Sequence, residues 1–286
     1  MDEKTLQKLH ALELEIAAEM KRICEKHRIR YFMIAGTLLG AVRHGGFIPW
    51  DEDMDFGMLR ADFERFVSVC SDELDREKYF LQTGDSDPGY TYAFAKIRLN
   101  GTRIVEDLSQ EAAAHQGIFI DIFPFDNVPD SRLLRKLHER ERYLWKNMLA
   151  VKLGYHNGQN RAKSLQKLLG AAAAVLPADY IRKKKERAFT RYNGRTTKMV
   201  VTAEGSYRYY KEMIPQHRTQ KLCRMPFAGT DFFTFAAYDA YLKEMYGDYM
   251  QLPPENQRNK HAVLAVDFGQ YAEADSVEKR QLFDIQ

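Results

Sequence analysis

The sequence is short of most features that would assign it a compartment or a partner. It holds three cysteines, Cys24, Cys70 and Cys223, far apart and odd in number. That usage excludes a disulfide framework, offers no zinc-ligand spacing and suits a reducing cytoplasm. No apolar run approaches the roughly 20 residues of a membrane-spanning helix, and Asp2, Glu3 and Lys4 lead into a helical pattern unlike a secretory signal. Neither charge dominates: the formal net charge is +3, too small to argue for nucleic acid. What remains is a composition of ordinary globular type, 45% apolar and 29% charged over 286 residues. That is enough for one large domain, or one domain with a helical appendage. A cytoplasmic protein, soluble or peripheral at the inner face of a membrane, is the expectation.

What is present is concentrated in Tyr31 to Met58, YFMIAGTLLGAVRHGGFIPWDEDMDFGM. Tyr31 to Ala35 reads as a short buried strand. The pattern breaks at Gly36-Thr37, and a brief helix ending at Arg43 and His44 follows. Gly45-Gly46 and Pro49 mark a loop. Asp51, Asp53 and Asp55 then recur two residues apart, which on an extended segment turns three carboxylates to one side. Like charges so crowded call for a cation, and hard oxygen ligands suit Mg²⁺ or Mn²⁺ bound together with phosphates. A solvated acidic loop is the plain alternative. Against it, Met54 and Phe56 alternate with the acids as on a half-buried strand.

Further along, Gly117 to Phe125, GIFIDIFPF, is an apolar run of strand length broken by Asp121. A lone acid in such a strand is costly unless it is paired, metal-bound or hydrogen-bonded to backbone. Lys96 and Arg98 share one face of a strand ending at Asn100-Gly101, either as a solvent-facing rim or as phosphate contacts. Asn-Gly between two strand-like runs predicts a hairpin with Thr102 to Val105.

These motifs resemble the LicD family, the phosphocholine-transferase group that includes the fukutin-related proteins. Gly-Thr at a strand-to-helix turn followed by Asp-x-Asp is also the layout of the polymerase-beta-like nucleotidyltransferase fold. GTLLGAVRHGGFIPWDEDMDFGM, GIFIDIFPF and the Tyr-Gly-Asp-Tyr-Met wording near residue 248 carry the likeness, from the first helix to about His261. The family usually reads Trp-Asp-Asp-Asp-x-Asp where this chain has Glu52, a position expected to face away from a metal. The resemblance implies an α+β fold, a nucleotidyltransferase-like mixed sheet flanked by helices with a helical insertion. The expected divisions are a catalytic core over 1–129, a helical region over 130–195, and a C-terminal part over 196–286 that completes the core and substrate site.

By the same resemblance, Asp53, Asp55 and Asp121 are metal ligands, and Asp51 is a general base or a support. Gly36 and Thr37 would meet phosphates. Arg43 is a phosphate clamp or a helix-end cation, and His44 a proton relay or a turn residue. Lys96 and Arg98 fall where the family commonly has Lys-Ile-Arg, which favours substrate contact. The implied reaction passes a phospho-alcohol, most simply phosphocholine from CDP-choline, to a sugar hydroxyl of a glycan or teichoic acid, lipid-linked or free, releasing CMP. Two other readings stand beside it: a nucleotidyltransferase moving the nucleotide itself, and a non-catalytic nucleotide- or glycan-binding relative. Tyr90, Tyr92, Phe94, Phe232, Phe233 and Tyr238 are available to cage a quaternary ammonium, though aromatics at such spacing commonly serve the core.

The rest of the pattern is helical. Leu6, Leu9, Leu12, Ile16, Met20 and Ile23 predict an amphipathic helix over residues 2–27, and Phe63, Phe66, Val67 and Cys70 another over 60–74. Ser131 reads as the cap of a helix reaching about Leu153, and Leu165 to Leu176 as a small alanine-rich helix. Arg182, Lys183, Lys184, Lys185, Arg187 and Arg191 follow, as a solvated face or as a peripheral contact with anionic lipid. Phe227 to Phe235 reads as an aromatic loop or edge strand, and the residues beyond Ala272 as a polar tail.

Overall fold

The structure, a computed structural model, describes residues 1–155, 170–255, 258 and 263–272. It opens with α1 (Glu3–His27), started by Asp2, whose side chain accepts the Thr5 N–H at 2.9 Å. The helix ends at Arg28 in the left-handed region, φ 53°. Leu9, Leu12, Ile16, Met20 and Ile23 are buried along one face, as their spacing predicts. Next come β1 (Phe32–Met33), α2 (Ala35–His44), β2 (Asp55–Leu59) and α3 (Arg60–Glu73). Strands β3 (Tyr79–Gln82), β4 (Ala95–Leu99) and β5 (Arg103–Glu106) lead to β6 (Phe119–Val128), whose ten residues are almost wholly buried.

Beyond β6, the described chain runs α4 (Arg132–Lys152), α5 (Ala178–Thr190), β7 (Met199–Thr202) and β8 (Met213–Pro215). A hairpin of β9 (Leu222–Phe227) and β10 (Thr230–Phe235), then α6 (Tyr238–Tyr246) and β11 (Val263–Asp267), complete it. Among the described residues a seven-stranded mixed sheet runs β1-β2-β6-β4-β3, with β7 on β6 and β8 on β7. Only β2 and β6 pair in parallel; the remaining pairs are antiparallel. The fold is thus α+β, a mixed sheet flanked by helices, with strands from before residue 129 and after residue 196 in one sheet. No described helix is long and apolar enough to cross a membrane.

One local expectation needs correction and two gain detail. β4 and β5 do not form a hairpin: both edges of β4 are taken, by β3 and β6, and β5 pairs with β11 instead. The Asn100-Gly101 turn is held by its own polar groups, Asn100 Nδ2 donating to the Arg76 and Glu77 carbonyls and Thr102 Oγ1 to that of Leu99. Ser131 occupies the N-cap of α4 without a side-chain capping bond. Phe227 to Phe235 is an edge strand over Thr230–Phe235, paired with Leu222–Phe227 through a turn at Ala228 and Gly229, φ 46° and 84°. The alanine-rich helix falls partly outside the described residues, with 170–175 helical; the tail after Ala272 lies outside them.

The basic run of α5 is divided between two faces, with Lys183 and Arg187 exposed and Lys185 turned inward. Lys185 is buried and paired with Glu204 at 2.6 Å, Arg182 donates to the carbonyls of Pro88 and Tyr90, and Arg191 pairs with Glu141. Arg60, at the start of α3, binds Asp126 on β6 through two bonds of 2.8 Å, and Asn193 adds a third at 2.7 Å. These contacts join the helical region to the sheet.

His138 of α4 does the same in neutral form. Its Nε2–H donates to the Ala188 carbonyl at 2.8 Å, so Nδ1 must accept the Tyr209 hydroxyl at 2.9 Å. Burial, then the Arg142 charge, lowers its pKa from 6.5 to about 4. The unfolded chain therefore takes up the proton first as pH falls. His138 contributes its full stability above pH 6.5 and loses it progressively toward pH 4. Urea unfolding between these limits is expected to weaken with acid, and to weaken less in His138→Gln.

Candidate active site

One row of side chains crosses the sheet on a single face. Asp55 of β2 is the register partner of Asp121 on β6, Asp121 of Lys96 on β4, and Lys96 of Gln82 on β3. Asp53 precedes Asp55 by two residues, just outside β2. The backbone here is pinned independently of its charges. The Asp55 N–H donates to Thr37 Oγ1 at 2.7 Å, the Ile34 N–H to the Asp55 carbonyl at 3.2 Å, and the Asp121 N–H to the Met54 carbonyl at 2.8 Å. Ala35, at φ 46°, makes the sharp entry from β1 into α2. At Gly36 a Cβ would lie 2.5 Å from Asp51 Oδ2, so only glycine leaves room for that carboxylate against the first turn of α2.

The electrostatics are those of a crowded acidic site. Asp55 is held well above the usual carboxylate range by burial, and then by Asp53, Asp121 and Asp51. Burial raises Asp121 to about 6, against the opposing pull of Lys96. The Lys96 ammonium lies 2.8 Å from Asp121 Oδ1, with 3% and 9% of the two side chains exposed. It also sits over the Phe119 ring, 3.2 Å from its centroid. Glu13 of α1, absent from the expected set, is 1% exposed. Burial, then the charges of Asp53, Asp51, Glu52 and Asp121, raises it far above its ordinary value. The sequence carries a sign of it: Glu13 interrupts the apolar stripe between Leu9 and Ile16.

The other expected residues divide. Gly36 and Thr37 adjoin the carboxylates. Arg43 and His44, at the far end of α2, are engaged elsewhere: Arg43 Nη1 donates to the Tyr249 carbonyl and Nε to His44 Nε2, both at 2.9 Å. His44 meets the edge of Trp50. Lys96 and Arg98 are buried, which removes the solvent-rim reading. Arg98 is tied to Gln82 and to the Gly117 carbonyl. The aromatic candidates fall into separate groups. Tyr90, Tyr92 and Phe94 pack together, with Tyr155 against Tyr92 and Phe123 against Phe94. Phe232 is buried on Phe56 and Phe227, and Phe233 lies on Tyr31. Cavities of about 560 and 470 Å³ open elsewhere on the molecule, and none of these carboxylates lines them.

With this geometry in place, the matches to known proteins become interpretable. Residues 28–147 match the LicD/FKTN/FKRP nucleotidyltransferase domain. The matched segment spans α2, β2 and β6, and so contains Asp55 and Asp121. The chain is 28% identical over 266 residues to the lipopolysaccharide cholinephosphotransferase LicD of Haemophilus influenzae, covering 92% of this chain and 98% of that protein. It is 44% identical over 48 residues to the ribitol 5-phosphate transferase FKRP of Homo sapiens and of Mus musculus, 17% of this chain and 10% of each relative.

Among the described residues no group of three or more His, Cys, Asp or Glu side chains is gathered tightly enough to enclose a metal ion. The donor set nevertheless fits Mg²⁺ or Mn²⁺, because such ions commonly take one or two carboxylates and complete their shell with phosphates and water. Asp121, buried and in register beside Asp55, is a hard oxygen donor of that kind.

Lys96 is the compensating charge beside these acids. Lys96→Met is expected to destabilise the fold by about 3–5 kcal/mol in urea unfolding, the usual cost of removing one partner of a buried pair. Asp121→Asn should cost less, since it also removes a repulsion.

Proposed function

We propose that the protein transfers a phospho-alcohol, most simply phosphocholine from CDP-choline, to a sugar hydroxyl of a cell-surface glycan, lipopolysaccharide or teichoic acid, with release of CMP. The supporting observation is the Asp55–Asp121 pair beside Lys96, in a chain similar over nearly its whole length to a lipopolysaccharide cholinephosphotransferase. Asp55 and Asp121, with Asp53 nearby, would hold the divalent ion. That ion supplies charge neutralisation for the pyrophosphate of the donor and lowers the pKa of an acceptor hydroxyl.

The protein's own groups account for the rest. Thr37 accepts from the Asp55 N–H, which leaves its hydroxyl proton to donate to a phosphate oxygen. The first turn of α2 offers backbone N–H groups and the positive end of the helix dipole to the same anion. Lys96 keeps the acidic row from excluding a phosphate. Asp51 serves as the support, its carboxylate filling the space over Gly36. Phosphoryl transfer demands little beyond such alignment and charge compensation. For the alcohol, the group of Tyr92, Phe94 and Tyr155 suits a quaternary ammonium.

The reading is tested by incubating the protein with CDP-choline, Mn²⁺ and a glycan acceptor and measuring CMP. Asp55→Asn and Asp121→Asn should each lower the rate on the order of 10²–10³-fold, the usual cost of removing one charge-stabilising group. Pyrophosphate from CTP, with no CMP from any CDP-alcohol, would instead identify a nucleotidyltransferase. In a donor series, Tyr92→Ala is expected to raise KM for CDP-choline about tenfold, consistent with losing one cation–π contact, and to leave CDP-glycerol unchanged.

A further inference from the structure

Over its first half, α4 turns polar side chains inward and leucines outward. His138 and Arg142 are buried, His138 Nε2 on the Ala188 carbonyl and Arg142 Nη2 on that of Thr202, both at 2.8 Å. Leu133, Leu137 and Leu144 are instead 68%, 52% and 40% exposed. Spacings of four and seven residues place the three on one stripe of the helix. A helix that served only the core would bury such a stripe, so its exposure marks a surface for contact.

Cations flank the stripe along one side. Arg132, Lys136 and Arg140 recur at four-residue intervals, are exposed, and have no ion-pair partner among the described residues. Arg135, held by the carbonyls of Pro129 and Asp130, adds its charge to the same turns. Of the two acids of α4, Glu141 is engaged by Arg191 at 2.5 Å, which leaves Glu139 against four cations. Further along, Trp145 packs on the exposed Tyr180 of α5, whose ring carries the Lys184 ammonium.

We propose that the outer face of α4 rests on an anionic lipid surface, its leucines entering the acyl boundary and Arg132, Lys136 and Arg140 meeting headgroup phosphates. Long basic side chains beside an apolar stripe suit that partner on both counts. Their stems lie along the apolar surface while their charged ends stay in the polar layer, and each adds an attraction that salt screens. A second copy packed antiparallel on the stripe would set like charges side by side. Lipid contact is thereby assigned to α4 rather than to the basic run of α5, part of which faces inward, and it does not depend on the reaction proposed above.

Flotation of the full chain with vesicles of phosphatidylcholine, alone or mixed with phosphatidylglycerol, tests the assignment. At low ionic strength the wild type should float with the mixed vesicles, less with phosphatidylcholine alone, and less again as salt is raised. Lys136→Gln and Arg140→Gln should each weaken that binding about fivefold, the usual contribution of one cation near such a surface. Leu133→Ser combined with Leu137→Ser should weaken it on the order of tenfold without lowering the melting temperature, because both side chains are exposed. A wild type that floats with neither vesicle at low salt, or α4 variants that bind like wild type, would overturn the assignment. Binding lost in Lys183→Gln with Arg187→Gln but kept in the α4 variants would overturn it in favour of α5. A dimer that becomes monomeric in Leu137→Ser would overturn it too, by making the stripe a contact between copies of the chain.

Discussion

Asp55 and Asp121 are direct neighbours across two parallel strands, and nothing in their own chemistry draws them together. Two carboxylates about 5 Å apart repel by roughly 3 kcal/mol at an effective dielectric constant of about 20. The backbone holds them there regardless: Thr37 and Ile34 clamp the two sides of Asp55, and the Met54 carbonyl fixes Asp121. The β2–β6 ladder, five residue pairs long, sets the spacing. Lys96, on the opposite side of Asp121, offsets part of the repulsion. A phosphate and a cation entering together would offset the remainder.

The rest of the molecule keeps this row rigid and dry. α1 lies against β4 and β6 with its apolar stripe. The helical region is joined to the rest by polar contacts, Asn193 to Asp126 and the buried pair Lys185 to Glu204. Such pairs contribute modestly to net stability but fix geometry, because breaking one leaves an uncompensated buried charge. The inward turn of Arg182 and Lys185 follows from the same need. A run that looks like a cationic surface in one dimension is, on a helix, divided between two faces.

Local patterns carried a good deal of this. The 3.6-residue stripes of α1 and α3 placed both helices within a residue or two of their observed ends, and the Gly36-Thr37 break marks the strand-to-helix turn. Asp51, Asp53, Asp55 and Asp121 stood out because acids at strand spacing, or alone in an apolar strand, contradict their surroundings. Where pattern misled, pairing was the cause. Asn100-Gly101 looks like a hairpin turn, yet β4 had two better partners and β5 was left to meet β11. Arg98 and Lys96 share a face by spacing, but the alternation cannot say whether that face meets water or a helix.

The sequence by itself determined the helices, the acidic motif and the family likeness, because these depend on residues close together along the chain. Tertiary structure alone decided that Asp121 stands beside Asp55 and next to Lys96, that Arg98 is tied to Gln82, and that Glu13 is buried. Each of these joins segments far apart in the chain, and a side chain's charge acquires meaning only from the dielectric and the partners that folding places around it.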